Sequence, residues 1–241
     1  MKIRSKLPNL LTLINLLAGC LAVIAIFSEK LTIAVCLIGV ALLFDFLDGA
    51  FARILKAQSE MGKELDSLAD VVSFGVVPGF IMFMLMKDTV QDVSSGYPID
   101  LFLPYTGLLI PLFSALRLAK FNIDPHQREI FIGLPTPASA ILIASFPLIL
   151  HFQSDIIWAN YLLENKYVLV IITILISFLL ISPIRLFSLK FKVLAWKENS
   201  TRYIFLLLSF LIILFFHFMA IPLIILLYVF MSLIIQRRLK V

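Results

Sequence analysis

Apolar runs of about 16–24 residues, each closed by a short cluster of charged or polar side chains, recur near 8–27, 31–52, 64–86, 100–119, 134–152, 166–186, 202–217 and 219–235. An α-helix needs roughly 20 residues to cross the hydrocarbon of a bilayer. The pattern therefore predicts an all-α fold, a polytopic integral-membrane helical bundle of about eight transmembrane helices. The last two windows are short and divided only by His217 to Pro222, so a broken helix and a tight hairpin both satisfy them and the range is six to eight. No stretch reads as a separate soluble domain, and residues 1–241 are expected to form a single membrane domain.

Composition agrees with the pattern. Of the 241 residues 61% are hydrophobic, with a mean hydropathy of +1.06, more apolar surface than a soluble domain of this length can hide. Charge orients the bundle. With a cytoplasmic N-terminus, 17 of the 20 basic residues fall on the inner side, and only Lys30, Lys87 and Lys166 fall outside, as the positive-inside rule requires. Both termini are expected in the cytoplasm. The net charge of +5 then reads as topology and attraction to anionic headgroups, not as nucleic-acid binding. Cys20 and Cys36 lie within predicted spans without metal-site spacing, so no disulfide framework is expected. Lys2, Arg4 and Lys6 before an apolar run imitate a secretory leader, and Leu17-Ala18-Gly19-Cys20 imitates a lipoprotein cleavage box. The run continues beyond Cys20, which favours an uncleaved first helix.

Against this background four acids stand out in Asp45-Phe-Leu-Asp48-Gly49-Ala-Phe-Ala52-Arg53 and Gly62-Lys-Glu-Leu-Asp66-Ser-Leu-Ala-Asp70. Each carboxylate would cost about 2.5–3.5 kcal/mol at a bilayer centre, and intramembrane acids mark function by default. The spacing of three places Asp45 and Asp48 on one helical stripe beside Gly49 and Ala52, and a spacing of four does the same for Gly62, Asp66 and Asp70. Small residues let helices approach closely and leave room for a ligand. Asp45 lies eight residues before Arg53, about 12 Å along a helix axis, so the acids sit just below the membrane surface. Four carboxylates at close range repel one another, and two divalent ions are the economical counter-charge. An all-oxygen ligand set favours Mg²⁺, Mn²⁺ or Ca²⁺ over Zn²⁺, and two such ions can clamp a diphosphate. Arg53 suits a phosphate contact. Glu60 and Glu64, off the stripe, read as solvated partners of Lys56 and Lys63.

The pattern Asp-x2-Asp-Gly-x2-Ala-Arg-x8-Gly-x3-Asp-x3-Asp resembles the signature of the CDP-alcohol phosphatidyltransferase family at every defining position. The resemblance implies an integral-membrane enzyme, usually a homodimer, that uses two metal ions on a CDP-linked lipid and releases CMP as an acceptor hydroxyl attacks phosphorus. It implies Asp45, Asp48, Asp66 and Asp70 as metal ligands, with Asp70 also the proton acceptor. Asn9, Thr12, Gly49, Ala52, Arg53, Ser59 and Gly62 would form the CDP-lipid site.

Further segments are similar to the branch of that family whose donor is CDP-diacylglycerol and whose acceptor is L-serine: Pro8 to Asn15, Leu65 to Gly75, Arg117-Leu-Ala-Lys120-Phe121-Asn122 and Gly133-Leu134-Pro135-Thr136-Pro137. Lys120 stands where many relatives carry Arg. The similarity covers residues 7–140 as a catalytic core and leaves 141–241 as additional C-terminal helices. Serine needs partners for its carboxylate and its amine, and Arg117 and Asn122 are the candidates, although Arg117 also suits an interfacial anchor. Pro135 and Pro137 fit the start of the fifth helix. Compact architecture and the family likeness suggest a prokaryotic plasma membrane with a cytoplasmic active site. Glycerol 3-phosphate and inositol phosphate are the rival acceptors within the family. A divalent-cation transporter is the rival of another class, disfavoured because a permeating cation has no use for Arg53.

Overall fold

The apolar windows all fold largely as helix in the computed structural model, which describes residues 3–91, 98–123, 131–187 and 196–238. Ten α-helices follow in order: α1 Ile3–Phe27, α2 Leu31–Ile54, α3 Glu60–Asp70, α4 Val77–Gln91, α5 Leu109–Ile123, α6 Thr136–Phe152, α7 Ile157–Leu163, α8 Lys166–Ile181, α9 Trp196–Phe216 and α10 Ala220–Arg238. A π-helical stretch, Val71–Val76, joins α3 to α4, and a 3-10 stretch, Pro98–Leu108, leads into α5. Of the basic residues used to orient the chain, Lys2, Arg128, Lys190, Lys192 and Lys240 lie outside the described residues.

Local chemistry ends α1 and α2 in the same way. Lys30 N–H reaches Ala25 O and Glu29 N–H reaches Ile26 O, both at 2.9 Å, with Glu29 at φ 61. Ala57 N–H reaches Ala52 O at 2.9 Å and Lys56 N–H reaches Arg53 O at 3.2 Å, with Lys56 at φ 49. Both are Schellman stops built on a non-glycine left-handed residue. The first folds α2 back along α1, where Ala18, Ala22 and Ala25 meet Ala34, Ile38 and Ala41 in the buried core; the small side chains let the two backbones lie close. The second turns the chain to Ser59, whose hydroxyl accepts from Gly62 N–H at 3.0 Å and caps α3.

Close approach also sets the crossing of α4 with the fourth span. A Cβ on Gly79 would lie 2.7 Å from Pro111 Cδ, and one on Gly107 would lie 2.6 Å from Gly79 O. Only hydrogen fits at either position. At the base of α6, β1 (Phe131–Ile132) pairs antiparallel with β2 (Arg185–Leu186). Gly133 follows at φ 74, with Leu180 O 2.5 Å from where its Cβ would stand. Leu134 N–H binds Leu179 O at 2.9 Å. The start of α6 is thus tied to the end of α8. Pro135 occupies the N-cap of α6 and Pro137 its first turn, as the sequence suggests.

By length and composition five helices can cross a membrane: Lys6–Phe27, Leu31–Ile54, Glu60–Thr89, Asp100–Ile123 and Asn199–Gln236. They become six when Ile157–Leu163 and Lys166–Ile181 are joined across their 76° bend, while α6 is shorter, at 17 residues. The chain is therefore an all-helical membrane protein, and this count gives five or six spans where hydropathy suggests eight. Asn199–Gln236 is not a straight rod, however. The Phe205 and Tyr228 rings, on α9 and α10, have centroids 5.6 Å apart, whereas a continuous helix would separate them by about 34 Å. The chain reverses at the 3-10 turn His217–Met219, where His217 has φ 49. Of the two expectations for this region, the tight hairpin is the one that forms.

Connections gather at two ends of the bundle. At one lie Ser59, the β1–β2 pair and the bond from Arg185 N–H to Gln236 Oε1 at 3.4 Å. At the other, Lys166 Nζ pairs with Asp100 Oδ2 at 2.5 Å, and Tyr167 donates to Asp100 Oδ1 at 3.2 Å. At that end too, Gln153 fastens α6 to the hairpin turn, donating to Phe216 O at 3.1 Å and accepting from Met219 N–H at 2.9 Å.

The hairpin is directly testable. With Cys20 and Cys36 replaced by Ala, the Phe205→Cys/Tyr228→Cys variant is expected to be joined by a short bismaleimide, giving one cross-linked peptide by mass spectrometry. Two singly modified cysteines would instead indicate the extended rod.

Candidate active site

The Schellman stop after α2 and the Ser59 cap of α3 set the two acidic helices side by side. Carboxylate oxygens of Asp45, Asp48 and Asp66 all lie within 4.8 Å of one another. α1 braces the group from behind. Thr12 Oγ1 lies 2.5 Å from Asp48 Oδ2 and 3.1 Å from Pro8 O; a hydroxyl carries one proton, and the shorter contact to the carboxylate takes it. Three acids at this range repel strongly unless a cation sits among them. Asp66 Oδ1 is moreover buried without a hydrogen-bond partner, a costly arrangement for an ionised oxygen. The residues present fit a hard divalent cation held by carboxylate oxygens.

Asp70 stands apart from that trio. It is buried one turn beyond Asp66, and Asn15 Nδ2 donates to its Oδ1 at 3.3 Å. Asn15 is itself held by Ser73, whose hydroxyl donates to Asn15 O at 3.0 Å. Ser73 belongs to the π-helical stretch that starts directly after Asp70. Such insertions re-aim side chains and occur often at functional sites. Asn15 closes the Pro8 to Asn15 segment noted in the sequence but is given no site role there; the available signal was a carboxamide three residues after Thr12 in an otherwise apolar stretch.

Two cavities meet at the acids. The larger, of about 600 Å³, is lined by Asn9, Thr12, Gly49, Ala52, Ser59 and Gly62 together with Asp48 and Asp66. Six of the seven residues expected at the CDP-lipid site are thus brought together. A Cβ on Gly49 would meet nothing within 4 Å, so this glycine faces open space. Arg53 is not in the lining; it is exposed, and its Nε donates to Gly49 O at 3.0 Å. The smaller cavity, of about 220 Å³, is lined by Asp66, Asp70, Arg117, Asn122 and Thr136 among others.

Arg117 is buried, which excludes the interfacial-anchor alternative. Its Nη1 lies 3.5 Å from Thr136 Oγ1, and its Nε has no partner. A buried charged donor left open beside a cavity is poised for an anionic ligand. Asn122 Nδ2 donates to Ser67 Oγ at 2.8 Å, and Asn122 O accepts from Lys63 Nζ at 2.8 Å. Lys63 therefore reaches the end of α5, where the sequence suggested a glutamate partner.

Comparison with known proteins agrees with this geometry. A family model described as CDP-alcohol phosphatidyltransferase matches residues 5–179. A Mycobacterium leprae protein named CDP-diacylglycerol–serine O-phosphatidyltransferase is 37% identical over 142 residues, covering 56% of this chain and 44% of the relative. Proteins of the same name from Bacillus subtilis and Methanocaldococcus jannaschii are each 33% identical, over 183 and 180 residues. Those two matches cover 74% of this chain, and 88% and 72% of the relatives. The chain thus spans less than half of the mycobacterial protein and most of the other two.

Titration with Mn²⁺ followed by electron paramagnetic resonance checks the carboxylate group without reference to turnover. Asp66→Asn is expected to weaken Mn²⁺ binding by at least about tenfold, in the range seen when metal sites lose supporting groups. Unchanged binding would remove Asp66 from the ion site.

Proposed function

The chain belongs to the CDP-alcohol phosphatidyltransferase family, and we propose that it transfers the phosphatidyl group of CDP-diacylglycerol to the hydroxyl of L-serine, giving phosphatidylserine and CMP. The observation that carries this reading is the meeting of two cavities at one group of acids: of all their lining residues, they share only Lys63 and Asp66. A displacement between two substrates requires such an arrangement, with donor and acceptor approaching the reacting phosphorus from different sides.

In this reading the larger cavity takes the cytidine diphosphate head, seated over Gly49 and Ala52 and flanked by Asn9, Thr12, Ser59 and Gly62. Asp45, Asp48 and Asp66, with Asp70 on the acceptor side, would hold two Mg²⁺ or Mn²⁺ ions. Bound there, the ions would neutralise the diphosphate and stabilise charge on the departing oxygen. Arg53 reaches the phosphates only by leaving Gly49 O.

The smaller cavity takes serine. Arg117, with its open Nε, pairs with the carboxylate, and Asn122 offers its side-chain oxygen to the amine. Asp70 lines this cavity and not the larger one, which is where a proton acceptor belongs. As the serine oxygen bonds to the phosphatidyl phosphorus, its proton passes to Asp70. The bond from that phosphorus to the bridging oxygen breaks, and CMP leaves with that oxygen. Asn15, donating to Asp70 Oδ1, fixes the carboxylate so that its other oxygen faces the hydroxyl.

The proposal includes a topology and an assembly. Eight crossings follow when α6, the bent α7–α8 pair and each arm of the α9–α10 hairpin count as one crossing. Both termini and the acids then face the cytoplasm of a prokaryotic plasma membrane. The protein acts as a homodimer, with residues 7–140 as catalytic core and the helices beyond 141 as an addition.

An acceptor panel tests the reaction. With CDP-diacylglycerol and Mn²⁺ or Mg²⁺, serine alone is expected to give rapid CMP release and phosphatidylserine. Product from glycerol 3-phosphate or inositol phosphate and none from serine would overturn the acceptor assignment.

Asp70 is tested separately. Asp70→Asn keeps the shape and one metal-capable oxygen but cannot accept the proton, and loss of a general base typically costs about 10²–10⁴ in rate. Asp45→Asn, a ligand change, is expected to recover turnover as metal is raised, whereas Asp70→Asn is not. Wild-type turnover of Asp70→Asn at high metal would make Asp70 only a ligand.

A further inference from the structure

Lys63 has no role in the chemistry described above, yet it lines both cavities. It stands three residues before Asp66 on α3, about 4.5 Å along the helix axis and on the same face. Among the described residues its ammonium makes one hydrogen bond, to Asn122 O at 2.8 Å. Asn122 lines the smaller cavity only, so this bond draws the charge toward the acceptor side. An ammonium has three donors, and that bond uses one. Lys63 stands at the exposed rim without an ion pair among the described residues, while Arg117 lies buried beside Asp70.

We propose that Lys63 is a specificity-determining residue, pairing at the rim of the smaller cavity with the carboxylate of the amino-acid acceptor. The inference rests on the reading of that cavity as the acceptor site. An amino-acid acceptor is a zwitterion whose carboxylate and reacting hydroxyl lie on neighbouring carbons. A cation one helical turn from Asp66 anchors the first while the second reaches the acids. Arg117 meets the same carboxylate from the buried side, so two cations at different depths grip one anion and fix the direction in which the hydroxyl points. An alcohol without a carboxylate keeps its hydroxyl and amine but loses both grips.

The test compares L-serine with ethanolamine, which lacks only the carboxylate, using the full-length protein in detergent with CDP-diacylglycerol as donor. Ethanolamine is read as a substrate, or as a competitor of serine where its turnover is slow. Lys63→Met is expected to raise KM for serine about tenfold, within the range for a charged hydrogen bond to ligand. KM for CDP-diacylglycerol and the constant for ethanolamine should stay within about twofold, and Lys63→Arg should recover most of the loss. A raised KM for CDP-diacylglycerol with unchanged discrimination between acceptors would make Lys63 a donor-phosphate ligand and overturn the proposal. An equal loss for serine and ethanolamine would make it a strap between α3 and α5, with the same consequence. Arg117→Ala separates the two levels of inference. If it raises KM for serine while Lys63→Met does not, the acceptor cavity stands and the role of Lys63 falls. If neither changes KM for serine, the acceptor cavity falls as well.

Discussion

Mutual repulsion among carboxylates in an apolar bundle is the constraint on which the rest of the structure depends. Asp45, Asp48 and Asp66 crowd within 4.8 Å, and among the described residues no cation forms an ion pair with them. The protein answers with hydrogen-bond donors from α1. Thr12 donates to Asp48, and Asn15 donates to Asp70. These two donors serve two acids and leave Asp66 Oδ1 bare. Partial satisfaction of this kind is costly as permanent structure and sensible as a site completed by ligands. It also explains why α1 must lie so close to α3: the 3.3 Å hydrogen bond from Asn15 to Asp70 holds only if the Gly19 face of α1 admits Ser73 against it.

The helices and the acids were legible in the sequence because both follow short-range rules. Hydropathy over about 20 residues marks a span, and a spacing of three or four marks one helical face. What was not legible depends on tertiary placement. The π-helical stretch after Asp70 has no composition of its own: Val71-Val-Ser-Phe-Gly-Val76 reads as ordinary apolar helix. The choice between rod and hairpin at His217 turns on Gln153, 64 residues earlier, which ties down both sides of the turn. Arg53 is expected at a phosphate from its place one turn beyond Gly49, and its hydrogen bond to Gly49 O is a contact that the sequence does not show. Lys63 was assigned to neighbouring glutamates because sequence shows only near partners, and its actual acceptor, Asn122 O, is 59 residues away.

Rigidity and chemistry are divided between the two ends of the bundle. The Asp100–Lys166–Tyr167 group, the Gln153 clamp and the glycine crossing of Gly79 with Gly107 have no ligand to wait for. Their polar atoms are joined to one another, or the backbones are in direct contact. At the opposite end, Asp66 Oδ1 and Arg117 Nε are both buried and unpartnered, on residues that line the cavities. Other buried polar atoms without a partner, such as Asn160 Oδ1, line neither cavity, so what sets Asp66 and Arg117 apart is the charge they carry beside a cavity.

The glycines make the same distinction within one residue type, and so refine how small residues in a membrane helix should be read. Gly107 is small because backbone lies against it and Gly79 because the Pro111 ring does, each closer than a Cβ could tolerate. Gly49 is small although nothing lies within 4 Å of where its Cβ would be. Helix packing cannot account for an absent side chain that touches no helix. Gly39 on the same helix is equally open; Gly49 differs in bordering the larger cavity beside Asp48. Stripes of small residues in membrane proteins are usually assigned to helix association. On α2, Gly49 and Ala52 border the larger cavity, while Ala34 and Ala41, nearer the start of the same helix, pack against the alanines of α1.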